Sequence, residues 1–112
     1  MNVEEFKRNL QNIFGEQIRF SVDFDVYAEE IKNIDDDFMG WCIQLKEKKI
    51  DPIPAKRKYK DHLVFVKRMG SSNRCIVIKI KNGEFKEVHL GDHDYYNQVM
   101  KELGLKKSSK TY

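Results

Sequence analysis

The sequence predicts an α+β domain. It has an antiparallel, mostly meander sheet of about four strands, N-terminal and central helices packed on one face, and a short C-terminal helix. Three observations lead there. Apolar residues recur at three- and four-residue steps near the start of the chain, the spacing of one helix face. The pattern then changes to alternation over 17–25. Between 62 and 90 three β-rich runs are separated by turn residues, the second turn being Asn82-Gly83.

Val3, Phe6, Leu10 and Ile13 form the apolar stripe of a helix over 3–14, with Asn2 as N-cap and Gly15 as its stop. Ile18, Phe20, Val22 and Phe24 alternate with polar residues, which predicts a half-buried strand over 17–25. A short helix carrying Tyr27, Ile31 and Ile34 follows. Asp35-Asp36-Asp37 opens another helix, running to about Lys49 and burying Phe38, Trp41, Cys42 and Leu45. Consecutive carboxylates point apart on a helix, so the triplet reads as a cap and not as a metal site. Asp51-Pro52-Ile53-Pro54 breaks the helix. The strands of the meander are 62–69, 74–80 and 85–90, with Gly70-Ser71-Ser72-Asn73 as the first turn. The middle strand, apolar on both faces, is central. Gly91-Asp92 leads into a last helix over His93–Leu103, and Gly104 is its C′ residue. The domain spans 1–105, with 1–15 an additional N-terminal helix and 106–112 a flexible tail.

A chain of 112 residues can bury one adequate core without disulfides. The first residues are acidic and lack an apolar signal segment, and no apolar run approaches the roughly 18 residues that span a bilayer. The expectation is a cytoplasmic protein, not a membrane one, whose Cys42 and Cys75 are reduced, buried small hydrophobes.

Charge is sorted along the chain. Residues 1–40 carry four basic and ten acidic side chains, a net of −6, and residues 41–112 carry seventeen and eight, a net of +9. Such asymmetry fits either a side that faces a polyanion or an ordinary solvated surface. Phosphate-binding glycine loops, paired CxxC, HExxH and GxSxG are absent from the sequence. His89 and His93 straddle a strand end, which is not the helical spacing of a zinc pair. No metal or other cofactor is expected.

Three basic groups stand out. Lys56, Arg57, Lys58 and Lys60 surround Tyr59, cations for phosphates with an aromatic for a base. Lys67 and Arg68 end one strand and Arg74 starts the next, so a short turn brings the two arginines together. His89 and His93 are candidate acid–base groups. Tyr95 or Tyr96 could join them if cations lowered a phenol pKa, and either could equally pack the last helix on the sheet.

The order of parts resembles the RelE/ParE toxin superfamily over about residues 18–96. The resemblance rests on Phe20-Ser21-Val22-Asp23-Phe24 leading into Ala28-Glu29-Glu30-Ile31, on Arg74-Cys75-Ile76-Val77-Ile78-Lys79-Ile80, and on Leu90-Gly91-Asp92-His93-Asp94-Tyr95-Tyr96. It implies a metal-independent endoribonuclease, a hydrolase of toxin–antitoxin type that cleaves mRNA, including ribosome-bound mRNA, by attack of a 2′-hydroxyl on the adjacent phosphate. The implied catalytic residues are Arg68, Arg74, His93 and Tyr95 or Tyr96. The implied RNA-binding residues are Lys56, Arg57, Lys58, Tyr59, Lys60 and Lys67, and the implied protein partner is an acidic antitoxin. The N-terminal helix is an addition to that pattern. The superfamily also includes members without nuclease residues, so the alternative is a non-catalytic nucleic-acid- or protein-binding module of the same fold.

Overall fold

The computed structural model describes residues 2–31, 36–70 and 72–105. Helix α1, Val3–Phe14, forms as its sequence dictates. Asn2 Oδ1 accepts the Glu5 amide at 2.8 Å, and Phe6, Leu10 and Phe14 bury one face. Strand β1 is only Arg19–Phe20, and α2 begins at Phe24 and runs to Glu30. The alternation read as a strand over 17–25 therefore stops short. Phe24 and Ala28 bury as a helical pair while Val22, expected to face inward, is 99% exposed.

Helix α3, Asp36–Lys46, buries Phe38, Trp41, Cys42 and Leu45 as expected. It ends before the prolines, in a Schellman closure where Lys48 takes φ +62° and the Lys49 amide reaches the Gln44 carbonyl. Ile34, Asp35 and the tail 106–112 lie outside the described residues, as does Ser71 of the first turn.

A two-residue strand, β2 (Ile53–Pro54), precedes the meander of β3 (His62–Met69), β4 (Asn73–Ile80) and β5 (Phe85–Asp92). Asn82, at φ +58°, turns β4 into β5. The sheet order is β1-β5-β4-β3-β2, with β1 parallel to β5 and the other pairs antiparallel. Five strands with one parallel pair replace the four antiparallel strands predicted. Too few residues form β1 and β2 to leave a pairing signal in the sequence.

Both faces of the sheet are covered. Phe65, Met69, Cys75, Val77, Val88 and Leu90 pack against α1, α2 and α3. On the opposite face Val64, Val66, Ile76 and Ile78 meet Tyr96, Val99, Met100 and Leu103 of the C-terminal segment. That segment is α4, His93–Glu102, capped by Asp92 accepting the Tyr95 amide and closed at Gly104 with φ +73°. Gly91-Asp92 extend β5 instead of forming a lead-in loop, because Asp92 serves as last strand residue and helix cap at once.

Candidate nucleic-acid interface

The register of the meander decides what shares a face. Arg68 lies opposite Arg74, and Arg74 opposite Gly91. One row along, Val66, Ile76 and His89 are in line, and the next row holds Val64, Ile78 and Glu87. With a period of two, all of these side chains emerge on the α4 face. Arg68, Arg74, Glu87 and His89 are thus on one side of the sheet, with α4 laid across the apolar rows between them.

A hydrogen-bonded chain crosses that face. Tyr95 Oη is 2.6 Å from His89 Nδ1, and His89 Nε2 is 2.7 Å from Glu87 Oε1. The Leu90 amide donates to Ser21 Oγ at 3.1 Å, and the Ser21 hydroxyl also bonds Tyr95. One set of orientations satisfies every group. Ser21 donates to Tyr95, Tyr95 donates to His89 Nδ1, and His89 Nε2–H donates to the Glu87 carboxylate. The hydrogen bond from His89 holds Glu87 below the ordinary carboxylate range, against a smaller opposing effect of burial.

Tyr95 departs from expectation. Burial pushes its phenol up, the Ser21 bond opposes that, and Glu87, Glu102 and Asp23 add to the rise. The cationic neighbourhood that would have lowered it is replaced by carboxylates. Its side chain lies against Gly91, where a Cβ would come within 2.4 Å of Tyr95 Cδ2. A glycine in β5 is therefore what lets the hydroxyl reach His89.

A second polar group lies beside the first. Lys86 Nζ is 3.2 Å from His62 Nε2, and the Tyr59 and His62 rings meet in a T-shaped pair. These residues, with Glu87, His89 and Glu102, line a cavity of about 130 Å³ between the sheet and the end of α4.

The residues expected from sequence separate into groups. Lys56, Arg57, Lys58 and Lys60 are exposed around a 3₁₀ turn at Arg57–Tyr59, pinned to α4 by the Lys56 amide donating to the Leu103 carbonyl. Tyr59 is half-buried beside them, with Lys58 Nζ 5.1 Å from its ring centre. Arg68 is exposed, whereas Arg74 is 9% exposed and donates to the Asn73 carbonyl. His93 is half-buried at the start of α4 against the ring of Tyr96, which is a core residue at 2% exposure. Lys67 points to the other face, is 15% exposed and pairs with Asp37 at 2.7 Å. Alternation along β3 thus divides it from the cations it was grouped with.

Sequence reasoning missed His62, Lys86 and Glu87 as members of the cluster. Alternation in β5 carried the signal for Glu87, since Val88 and Leu90 face the helices and put 87 and 89 opposite. His62 needed the register across two strands.

Fold and site together define an α+β protein with one sheet face bearing paired arginines and a Glu–His–Tyr chain. No family model, no curated protein and no solved structure matches the chain. Among the described residues no helix is long and apolar enough to cross a membrane, and no three His, Cys, Asp or Glu side chains converge to hold a metal ion.

Proposed function

We propose that this protein binds RNA on the α4 side of its sheet and cleaves it without metal, by attack of a ribose 2′-hydroxyl on the adjacent phosphate. The observation that carries the reading is the shared face of Arg68, Arg74 and the Tyr95–His89–Glu87 chain. Both nitrogens of His89 are engaged, so His89 acts through Tyr95. The phenolic oxygen takes the 2′-hydroxyl proton as its own proton passes to His89 Nδ1. Glu87 stabilises the imidazolium so formed, the role a buried carboxylate plays behind a histidine in other proton relays. The freed O2′ bonds to phosphorus as the P–O5′ bond breaks, and His93 is the candidate acid for the leaving oxygen. Arg68 and Arg74 offset the charge that gathers on the phosphate.

The binding-only alternative is favoured by Arg74, whose guanidinium is largely buried and already bonded to the Asn73 carbonyl. A cleavage assay on single-stranded RNA in chelator separates the two. Wild-type cutting, reduced about 10²–10³-fold by Arg68→Ala and by Tyr95→Phe, supports the relay. RNA bound but left intact by the wild-type protein assigns it to the binding class.

A further inference from the structure

Two neighbouring recesses beside α4 differ in chemistry and share one residue. The first is the cavity already described. Its walls include the apolar side chains of Ile78, Val99 and Leu103, and its polar groups are of both kinds, acceptors on Glu87 and Glu102 and the donor ammonium of Lys86. One ammonium against two carboxylates makes its lining unsuited to a phosphate. The second recess is lined by Arg57, Lys58, Gln98, Lys101 and again Glu102, so cations predominate.

His62, on the wall of the first recess, steadies the Lys86 ammonium beside it. Charged Lys86 donates to His62 Nε2, so the ring proton belongs on Nδ1. Nδ1 is buried and has no hydrogen-bond partner among the described residues. That nitrogen is sealed from solvent, so the donor this recess itself presents is the Lys86 ammonium.

We infer that the two recesses form a subsite for one nucleotide of single-stranded RNA, with a guanine base in the cavity and its phosphate on Arg57, Lys58 and Lys101. The inference rests on the reading that this side of the protein takes RNA, and it adds the base that is selected. Proteins read single-stranded RNA by stacking a splayed base on an aromatic ring and bonding its edges. Tyr59 is the aromatic wall, and its ring is already steadied by His62 and Lys58. Guanine presents N1–H and N2–H donors on one edge and O6 and N7 acceptors on another. Carboxylates of Glu87 and Glu102 match the donors, and the Lys86 ammonium matches the acceptors. Adenine lacks the O6 acceptor and the second donor, and uracil offers one donor between two acceptors. The cavity therefore discriminates by the pairing its polar groups leave unmet in each case.

The test is a titration of the intact protein, followed by backbone NMR, with guanosine, GMP, AMP, CMP and UMP. The expected result is GMP binding at least about tenfold tighter than the other three nucleotides, with shifts at Tyr59, His62 and Glu102. Exposed Glu102→Gln should remove the preference for guanine. Arg57→Ala with Lys58→Ala should weaken GMP and leave guanosine unchanged, because the nucleoside has no phosphate to lose. Equal affinity for all four nucleotides, or GMP binding indifferent to Glu102→Gln and Tyr59→Ala, overturns the inference. The two proposals fail separately. Guanine-selective binding by a protein that cuts no RNA removes the nuclease reading and keeps this subsite. Cleavage with no guanine selectivity in cutting or binding removes the subsite alone.

Discussion

At Gly91 one missing methyl decides whether the candidate relay exists. A Cβ there would enter the Tyr95 ring, so Gly91→Ala must push the ring off the strand. The expected cost is about 1–3 kcal/mol in urea unfolding, typical of an overpacked site, with loss of the Tyr95–His89 contact. Tyr95→Phe keeps the ring and removes the hydroxyl, leaving His89 Nδ1 without its partner, while Ser21 keeps only the Leu90 amide. About 1–3 kcal/mol is expected from that half-buried network. Glu87 adds a pH signature. Its folded pKa is lowered, so it contributes stability that is fully present above the unfolded carboxylate range, about 4.3. That contribution is lost as pH falls from there through the folded value. Urea midpoints measured down this range should fall less steeply in Glu87→Gln than in the wild-type protein. The thiols behave oppositely. Burial pushes Cys42 up to about 12 and raises Cys75 as well, so neither should react with a thiol reagent until the protein unfolds.

At the scale of elements, α3 ends on a residue poorly suited to its conformation. Lys48 adopts a left-handed φ of +62° to close the helix, a place glycine occupies without strain. Lys48→Gly should therefore stabilise the protein by about 0.5–1 kcal/mol, read as a rise in the thermal midpoint. This stop was hidden in the sequence because the prolines downstream offered a stronger one. Helix α1 and the meander were legible for the opposite reason. Asn2, Gly15 and the Asn82-Gly83 turn mark ends that agree with the periodicity inside them. Strand β1 was overread because Phe20, Val22 and Phe24 keep step with a strand, while Phe24 and Ala28 also keep step with a helix. Tertiary packing chose the helix, and Val22 was left in solvent.

Across the whole molecule, the acidic N-terminal segment supplies α1, α2 and the start of α3 on one face of the sheet. The basic loop and α4 lie toward the other. Sequence order sorted the charges and strand alternation alone parts Lys67 from Arg68, but only the strand register showed that His89 joins Arg74's side. If the basic side meets RNA, removing Lys56, Arg57, Lys58 and Lys60 together should weaken binding at low salt. Each lost phosphate contact should also reduce the log–log salt slope by about 0.7 for a single strand. The most direct measurement uses an RNA carrying one 2′-deoxy ribose at a site the wild-type protein cuts, incubated in chelator. Attack by the 2′-hydroxyl predicts that cleavage disappears at that position alone and that unmodified substrate yields a 2′,3′-cyclic phosphate and a 5′-hydroxyl. Undiminished cutting at the deoxy position, or products bearing a 5′-phosphate, would contradict it.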